Sequence, residues 1–169
     1  MSKVRVLFVC MGNICRSPTA QGVFQHLLRQ EGLAAQVEVD SAGTHAYHVG
    51  EPPDRRAQET AARRGIDLSA QRARQVVAED FEGFDYVLVM DQDNYHAISR
   101  LCPSGQEKKL GLFMDFAPDW RTREVPDPYY GGANGFERVF DMVEDAARGL
   151  LEDIRRRYRI TKDGRETAG

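Results

Sequence analysis

The 169 residues carry 23 Lys and Arg against 26 Asp and Glu, a formal net charge of -3, with 41% hydrophobic residues. That balance gives no general reason to expect nucleic acid or an anionic membrane surface as partner, and no apolar run approaches the ~20 residues that span a bilayer. Three cysteines, an odd number, and an N-terminus without a signal peptide's apolar core point to reduced thiols in the cytoplasm rather than a disulfide framework.

The length suits a single domain, expected over residues 1–158 with a polar, frayed tail at 159–169. A β-branched run predicts a first strand over 3–10, ending at Cys10. After the tight loop Met11-Gly12-Asn13-Ile14-Cys15-Arg16, Ser17 and Pro18 are suited to cap and open a helix over about 18–30. Val23, Phe24, Leu27 and Leu28 form its apolar stripe, and Gly32 ends it. A second strand is expected at 37–40, running out at Ser41-Ala42-Gly43. A polar loop with Tyr47, Gly50, Pro52 and Pro53 follows, and Asp54 caps a helix stopped by Gly65. Residues 85–90 make the clearest strand, ending at Asp91, and a helix spans about 93–101. A weaker strand lies at 110–114. The last helix opens on the capping box Asn134-Gly135-Phe136-Glu137 and buries Phe136, Val139, Phe140, Val143, Ala147, Leu150, Leu151 and Ile154. Such alternation predicts an α/β fold: a parallel four-stranded sheet with helices on both faces, of the flavodoxin-like three-layer type. Sheets of this kind bind ligands outside the carboxyl ends of their strands, which gathers Cys10, Ser41, Asp91 and the loop after Met114 on one edge.

The chemistry concentrates at the first strand's end. A thiol beneath a helix N-terminus, with an arginine able to fold back over the loop, is favoured as the thiolate. Loop N–H groups aimed at one point favour a bound phosphate or other oxyanion. Arg16 offers a planar fork that matches two phosphoryl oxygens. Gly12 would let the backbone turn tightly, and Asn13 tolerates left-handed dihedrals. A Cys and an Arg at this spacing recur by chance, and a cysteine ending a buried strand is often a small hydrophobe. The strand before, the Gly and Asn within and the Ser-Pro after make the combination specific for nucleophilic displacement at phosphorus. Neither Gly-x-x-x-x-Gly-Lys-Ser/Thr nor Gly-x-Gly-x-x-Gly occurs in the segment.

Such a displacement needs a proton for its leaving oxygen. Asp127, in Val125-Pro126-Asp127-Pro128-Tyr129-Tyr130-Gly131-Gly132, sits between prolines that restrict its backbone and beside tyrosines that form a partly apolar wall. Alone, Pro-Asp-Pro reads as a turn. Together with Val9-Cys10-Met11-Gly12-Asn13-Ile14-Cys15-Arg16-Ser17-Pro18 it closely resembles the low-molecular-weight protein tyrosine phosphatases. Asp40-Ser41-Ala42-Gly43, Arg72-Ala73-Arg74-Gln75 and Phe84-Asp85-Tyr86-Val87-Leu88-Val89-Met90-Asp91 extend the resemblance from Val4 to about Arg156.

The resemblance implies a metal-independent phosphatase without cofactor. Cys10 would be the nucleophile, Arg16 would bind phosphate and stabilise the transition state, and Asp127 would act as general acid and then base. Met11, Gly12, Asn13, Ile14, Cys15 and Ser17 would cradle the phosphate, with Ser41 and Asp91 supporting the loop. Tyr47, Tyr129 and Tyr130 would line a slot for an aromatic ring. The implied substrates are phosphotyrosine proteins or small phosphomonoesters, with a cognate tyrosine kinase as a further partner. Ile14 stands where protein-arginine phosphatases have threonine, which favours phosphotyrosine. Two positions depart from the pattern: Gln71 replaces a common histidine, and Tyr47 a common tryptophan. Cys15, five residues from Cys10, could form a transient protective disulfide with it, or could simply be a buried thiol. Cys102 is expected to be structural, and the four histidines show no metal-ligand spacing. A thioredoxin-linked arsenate reductase would need a pair of resolving cysteines, and the chain has only Cys102 outside the loop. A non-catalytic phosphotyrosine-binding protein would need neither Cys10 nor Asp127.

Overall fold

A computed structural model describes residues 3–129, 131–132 and 134–160. Tyr130, and the expected tail from residue 161 onward, lie outside the described residues. Four strands, β1 (Val4–Cys10), β2 (Val37–Gly43), β3 (Tyr86–Val89) and β4 (Leu110–Leu112), form one all-parallel sheet in the order β2-β1-β3-β4. The helices are α1 (Arg16–Gln30), α2 (Arg55–Arg63), α3 (Asp80–Gly83), α4 (Gln92–Ser99) and α5 (Asn134–Tyr158). Among the described residues, no helix is long and apolar enough to cross a membrane.

Strand alternation divides the core between two faces. Val6 and Phe8 of β1 pack under α1 and α5, with Phe8 against Phe24 and Phe113 at ring-centroid distances of 5.9 and 4.8 Å. Leu7 and Val9 point the other way and meet Phe81, Phe84 and Ile98 from α3, α4 and their flanks. Both faces are therefore covered, as the sequence pattern implied. Because β2 and β3 flank β1 on opposite sides, the chain reverses its winding at β1, and a crevice opens beyond that strand's carboxyl end. Cys10 is the residue placed there.

Several boundaries differ from expectation. α1 begins at Arg16, so Cys15 rather than Ser17 occupies the N-cap, and it makes no side-chain cap. Ser17 is drawn inward by the polar loop residues beneath the helix. β2 extends to Gly43 because its parallel register with β1 continues through Cys10↔Gly43. β4 stops at Leu112, where Phe113–Phe116 coil into a 3₁₀ turn that sends Phe113 and Met114 into the core. The four-residue α3 had no sequence signal of its own. At the start of α5 the Glu137 carboxylate is taken by Arg63 and Arg64 of the α2 region, at 2.8 and 2.6 Å. Asp54 caps α2 as expected, accepting from Arg56 N–H at 2.8 Å, and Asp91, expected only as the end of the third strand, caps α4 by accepting from Asn94 N–H at 2.8 Å.

Candidate active site

The loop after β1 curls around the Cys10 sulfur. Asn13 N–H donates to Sγ at 3.3 Å, and Ser17 Oγ lies 3.1 Å from it. Asn13 has a φ of 56°, a left-handed conformation that asparagine tolerates. Its amide nitrogen donates to both Ser17 Oγ (2.8 Å) and Ser41 Oγ (2.9 Å), and its carbonyl accepts from Arg74 N–H (3.1 Å). Ser41 in turn donates to Gln21 at 2.6 Å. With a Ser17 lone pair taken by Asn13, the Ser17 hydroxyl hydrogen has two acceptors in reach, the Cys10 sulfur at 3.1 Å and the Ala42 carbonyl at 3.5 Å. The bend is thus held by buried side chains rather than by helix propensity.

Glycine matters here at Gly43 more than at Gly12. The left-handed residue of the turn is Asn13, as expected, and Gly12 does not adopt a positive φ, although a Cβ on it would come 3.1 Å from the His48 ring. A Cβ on Gly43 would meet the Met11 carbonyl oxygen at 2.8 Å, so the loop can rest on β2 only where there is no side chain.

Arg16 is buried, with 3% of its side chain exposed. Its Nη1 donates to Asp91 Oδ2 at 2.5 Å and to the Val125 carbonyl at 3.0 Å, and its Nη2 lies 3.8 Å from Asp127 Oδ2. Burial opposes the guanidinium's charge, but Cys10, Asp91 and Asp127 around it hold its pKa above the usual arginine value. Val125 N–H donates to the Met90 carbonyl at 2.8 Å, which ties the Asp127 loop to the end of β3. Asp127 Oδ1 accepts from Tyr129 N–H at 3.0 Å. Burial pushes the Cys15 thiol well above the ordinary thiol range, and Asp54, Cys10 and Asp127 add to the shift.

One cavity of about 210 Å³ is lined by Cys10, Met11, Gly12, Ile14, Cys15, Arg16, Tyr47, His48, Asp127 and Tyr129. A larger groove of about 520 Å³ lies between α1 and β2, far from this chemistry. The structure therefore brings the expected thiol, arginine, carboxyl and two of the expected aromatic residues to one opening, with Asn13, Ser17 and Ser41 beneath it and Asp91 behind it. Among the described residues, no group of three His, Cys, Asp or Glu side chains is arranged to hold a metal ion. Chemically, the arrangement can hold an oxyanion between loop N–H groups and a buried guanidinium, with sulfur below and a carboxyl beside it.

A family model described as low molecular weight phosphotyrosine protein phosphatase matches residues 5–160. The chain belongs to this family. A Synechocystis protein named for the same phosphatase class is 48% identical over 152 residues, 89% of this chain and 96% of its own length. The crystal structure of a protein tyrosine phosphatase from Entamoeba histolytica, with Hepes in its active site, superposes with a TM-score of 0.88 at 41% identity, covering 91% of this chain and 98% of the other. A Drosophila arginine phosphatase superposes with a TM-score of 0.80 at 31% identity, covering 88% and 96%.

Some residues of this phosphatase site had no role in the sequence reading. Gln21 and Arg74 complete the network around Asn13, and Val125 supplies a carbonyl to Arg16. Arg74 also binds Asp40 and Asp80, at 3.0 and 3.1 Å. Its position in Arg72-Ala73-Arg74-Gln75 marked the segment as family-like, but nothing in that run announces a backbone N–H aimed at Asn13. Gln71, in place of the common histidine, donates to the Pro18 carbonyl at 3.0 Å in the first turn of α1.

Proposed function

We propose that this phosphatase hydrolyses phosphotyrosine, and small aryl phosphates, through a cysteinyl-phosphate intermediate without a metal ion. The observation that carries the reading is the Cys10 sulfur, 3.1 Å from Ser17 Oγ and 3.3 Å from Asn13 N, in one cavity with Arg16 and Asp127. The Asn13 N–H and the Ser17 hydroxyl fix the position of the sulfur at the floor of that cavity, and the thiolate is the form that attacks.

In the first step the Cys10 sulfur attacks phosphorus, the bond from phosphorus to the aryl oxygen breaks, and the Asp127 proton passes to the departing phenolate. Loop N–H groups and Arg16 hold the equatorial oxygens, where charge develops. In the second step a water attacks phosphorus and gives its proton to Asp127. The S–P bond breaks, releasing phosphate and restoring the thiolate. Tyr47 and Tyr129, both lining the cavity, are the residues proposed to flank the substrate ring. The physiological setting we infer is cytoplasmic, with phosphotyrosine proteins supplied by a tyrosine kinase.

Rapid mixing with p-nitrophenyl phosphate in the presence of EDTA tests the mechanism. Wild type should release a burst of p-nitrophenolate stoichiometric with enzyme, and Cys10→Ser should abolish turnover while remaining folded. Substantial turnover by Cys10→Ser would remove the nucleophile assignment. Phosphoarginine is the second substrate to compare, because a solved arginine phosphatase shares the fold. Ile14 lines the cavity here, and phosphotyrosine should be the better substrate.

A further inference from the structure

Arg56 stands outside the residues that line the cavity, yet it joins two of its walls. Asp54 N–H donates to the Ile14 carbonyl of the phosphate loop at 2.7 Å. The Asp54 carboxylate accepts from Arg56 Nε at 3.1 Å and from Nη2 at 3.0 Å. Burial opposes the charge on Asp54, but these hydrogen bonds outweigh it and hold the carboxyl below its usual range. The remaining nitrogen, Nη1, donates to the Tyr129 carbonyl at 3.2 Å. The guanidinium also lies 5.3 Å from the Tyr129 ring and 4.8 Å from the Phe136 ring at the start of α5. Tyr129 N–H closes the path by donating to Asp127 Oδ1.

That last bond decides which carboxyl oxygen is available. Oδ1 is occupied by Tyr129, which leaves Oδ2, the oxygen beside Arg16, to carry a transferable proton. Asp127 sits in a loop with 32% of its side chain exposed, so little packing restrains it. On one side the loop is anchored through Val125 to the end of β3 and to Arg16; on the other side Asp127 depends on where Tyr129 is held, and Arg56 is a hold on Tyr129.

We propose that Arg56 is a positioning residue that sets the distance between the phosphate loop and the Asp127 carboxyl by clamping Tyr129 to Asp54. The proposal rests on the reading of Asp127 as the general acid. Each of the three Arg56 nitrogens already has a protein partner, which suits a brace rather than a substrate-binding group. Only arginine can fill this place, because its planar fork engages a carboxylate and a carbonyl while its face stacks on aromatic rings.

The test compares kcat/KM for phenyl phosphate, whose poor leaving group needs the proton, with that for p-nitrophenyl phosphate, whose leaving group needs it far less. Because the ratio is taken on one protein sample, any loss of folded material cancels. Asp127→Asn should lose ~100-fold or more on phenyl phosphate and much less on p-nitrophenyl phosphate. Arg56→Ala should lose roughly tenfold more on phenyl phosphate than on p-nitrophenyl phosphate, the scale expected of a displaced catalytic group. Arg56→Lys, which keeps the charge but not the fork, should follow Arg56→Ala. The double variant Arg56→Ala/Asp127→Asn should have the ratio of Asp127→Asn alone, since a brace has nothing left to position. Equal losses by Arg56→Ala on both substrates, a wild-type ratio in Arg56→Lys, or additive effects in the double variant would each overturn the brace while leaving Asp127 as the acid. A flat ratio in Asp127→Asn itself would overturn both assignments.

Discussion

Asn13 uses both amide hydrogens and its carbonyl within the loop, and each partner comes from a different part of the chain: α1, β2 and the segment before α3. A residue satisfied so fully in a buried place does structural work at a φ that most side chains resist. The sequence marked Asn13 as tolerant of that conformation, whereas its partners at Ser41 and Arg74 lie 28 and 61 residues away and carry no local signal. Cys15 shows the same division. Its nearness to Cys10 was legible, but its protonation state follows from burial and from Asp54 and Asp127, which only the fold places beside it. This has a consequence for oxidation. Peroxide should convert the Cys10 thiolate to a sulfenic acid, and the Cys15 sulfur should then expel hydroxide from it to form a disulfide. Because the Cys15 pKa is raised, its thiolate is scarce at neutral pH and grows about tenfold per unit as pH rises below that pKa. Disulfide closure should therefore accelerate from mildly acid to mildly alkaline buffer, measured as loss of the dimedone-trapped sulfenic acid and gain of the crosslinked peptide by mass spectrometry. A pH-independent rate, or no such peptide, would remove Cys15 as the resolving thiol.

At the scale of elements, the legible features were those written in consecutive residues. Apolar stripes announced α1 and α5, an unbroken apolar run announced β3, and Asp54 announced the start of α2. The start of α1 was misplaced because Ser17 has the composition of a cap, while its hydroxyl is claimed by Asn13 and Cys10 from below. Helix α5 also shows a constraint that no propensity reports. A Cβ on Gly149 would come 1.9 Å from the Phe116 carbonyl oxygen, so the helix and the 3₁₀ turn at Phe113–Phe116 touch backbone to backbone. Alanine has the better helix propensity by about 1 kcal/mol, and in an exposed helix Gly149→Ala would stabilise. Here overpacking should win, with a net loss of about 2 kcal/mol, read as a lower midpoint in urea at unchanged m-value. A gain in stability would mean that α5 moves away from the turn without cost.

For the whole molecule, the decisive feature is the central place of β1. With β2 and β3 on either side of it, its carboxyl end is the crevice where Cys10, Asp91 and the Asp127 loop meet. An oxyanion that binds there binds only the folded chain and must raise its stability by mass action, ~2.7 kcal/mol at a hundredfold excess over Kd. Inorganic phosphate should therefore raise Tm in a concentration-dependent way. Arg16→Lys, which retains charge but lacks the fork, should flatten that response. An undiminished shift in Arg16→Lys would place the anion elsewhere. Alternating apolar runs are local patterns that sufficed for the fold class, and the motifs around Cys10 and Asp127, taken as a pair, sufficed for the family. The tertiary structure decided the partners of Arg16, the restraint on Asn13, the protonation of Cys15 and the brace at Arg56. Those depend on distances between residues far apart in sequence, Asn13 from Ser41 by 28 positions and Arg16 from Val125 by 109 among them, and a chain specifies such distances only by packing both faces of its sheet.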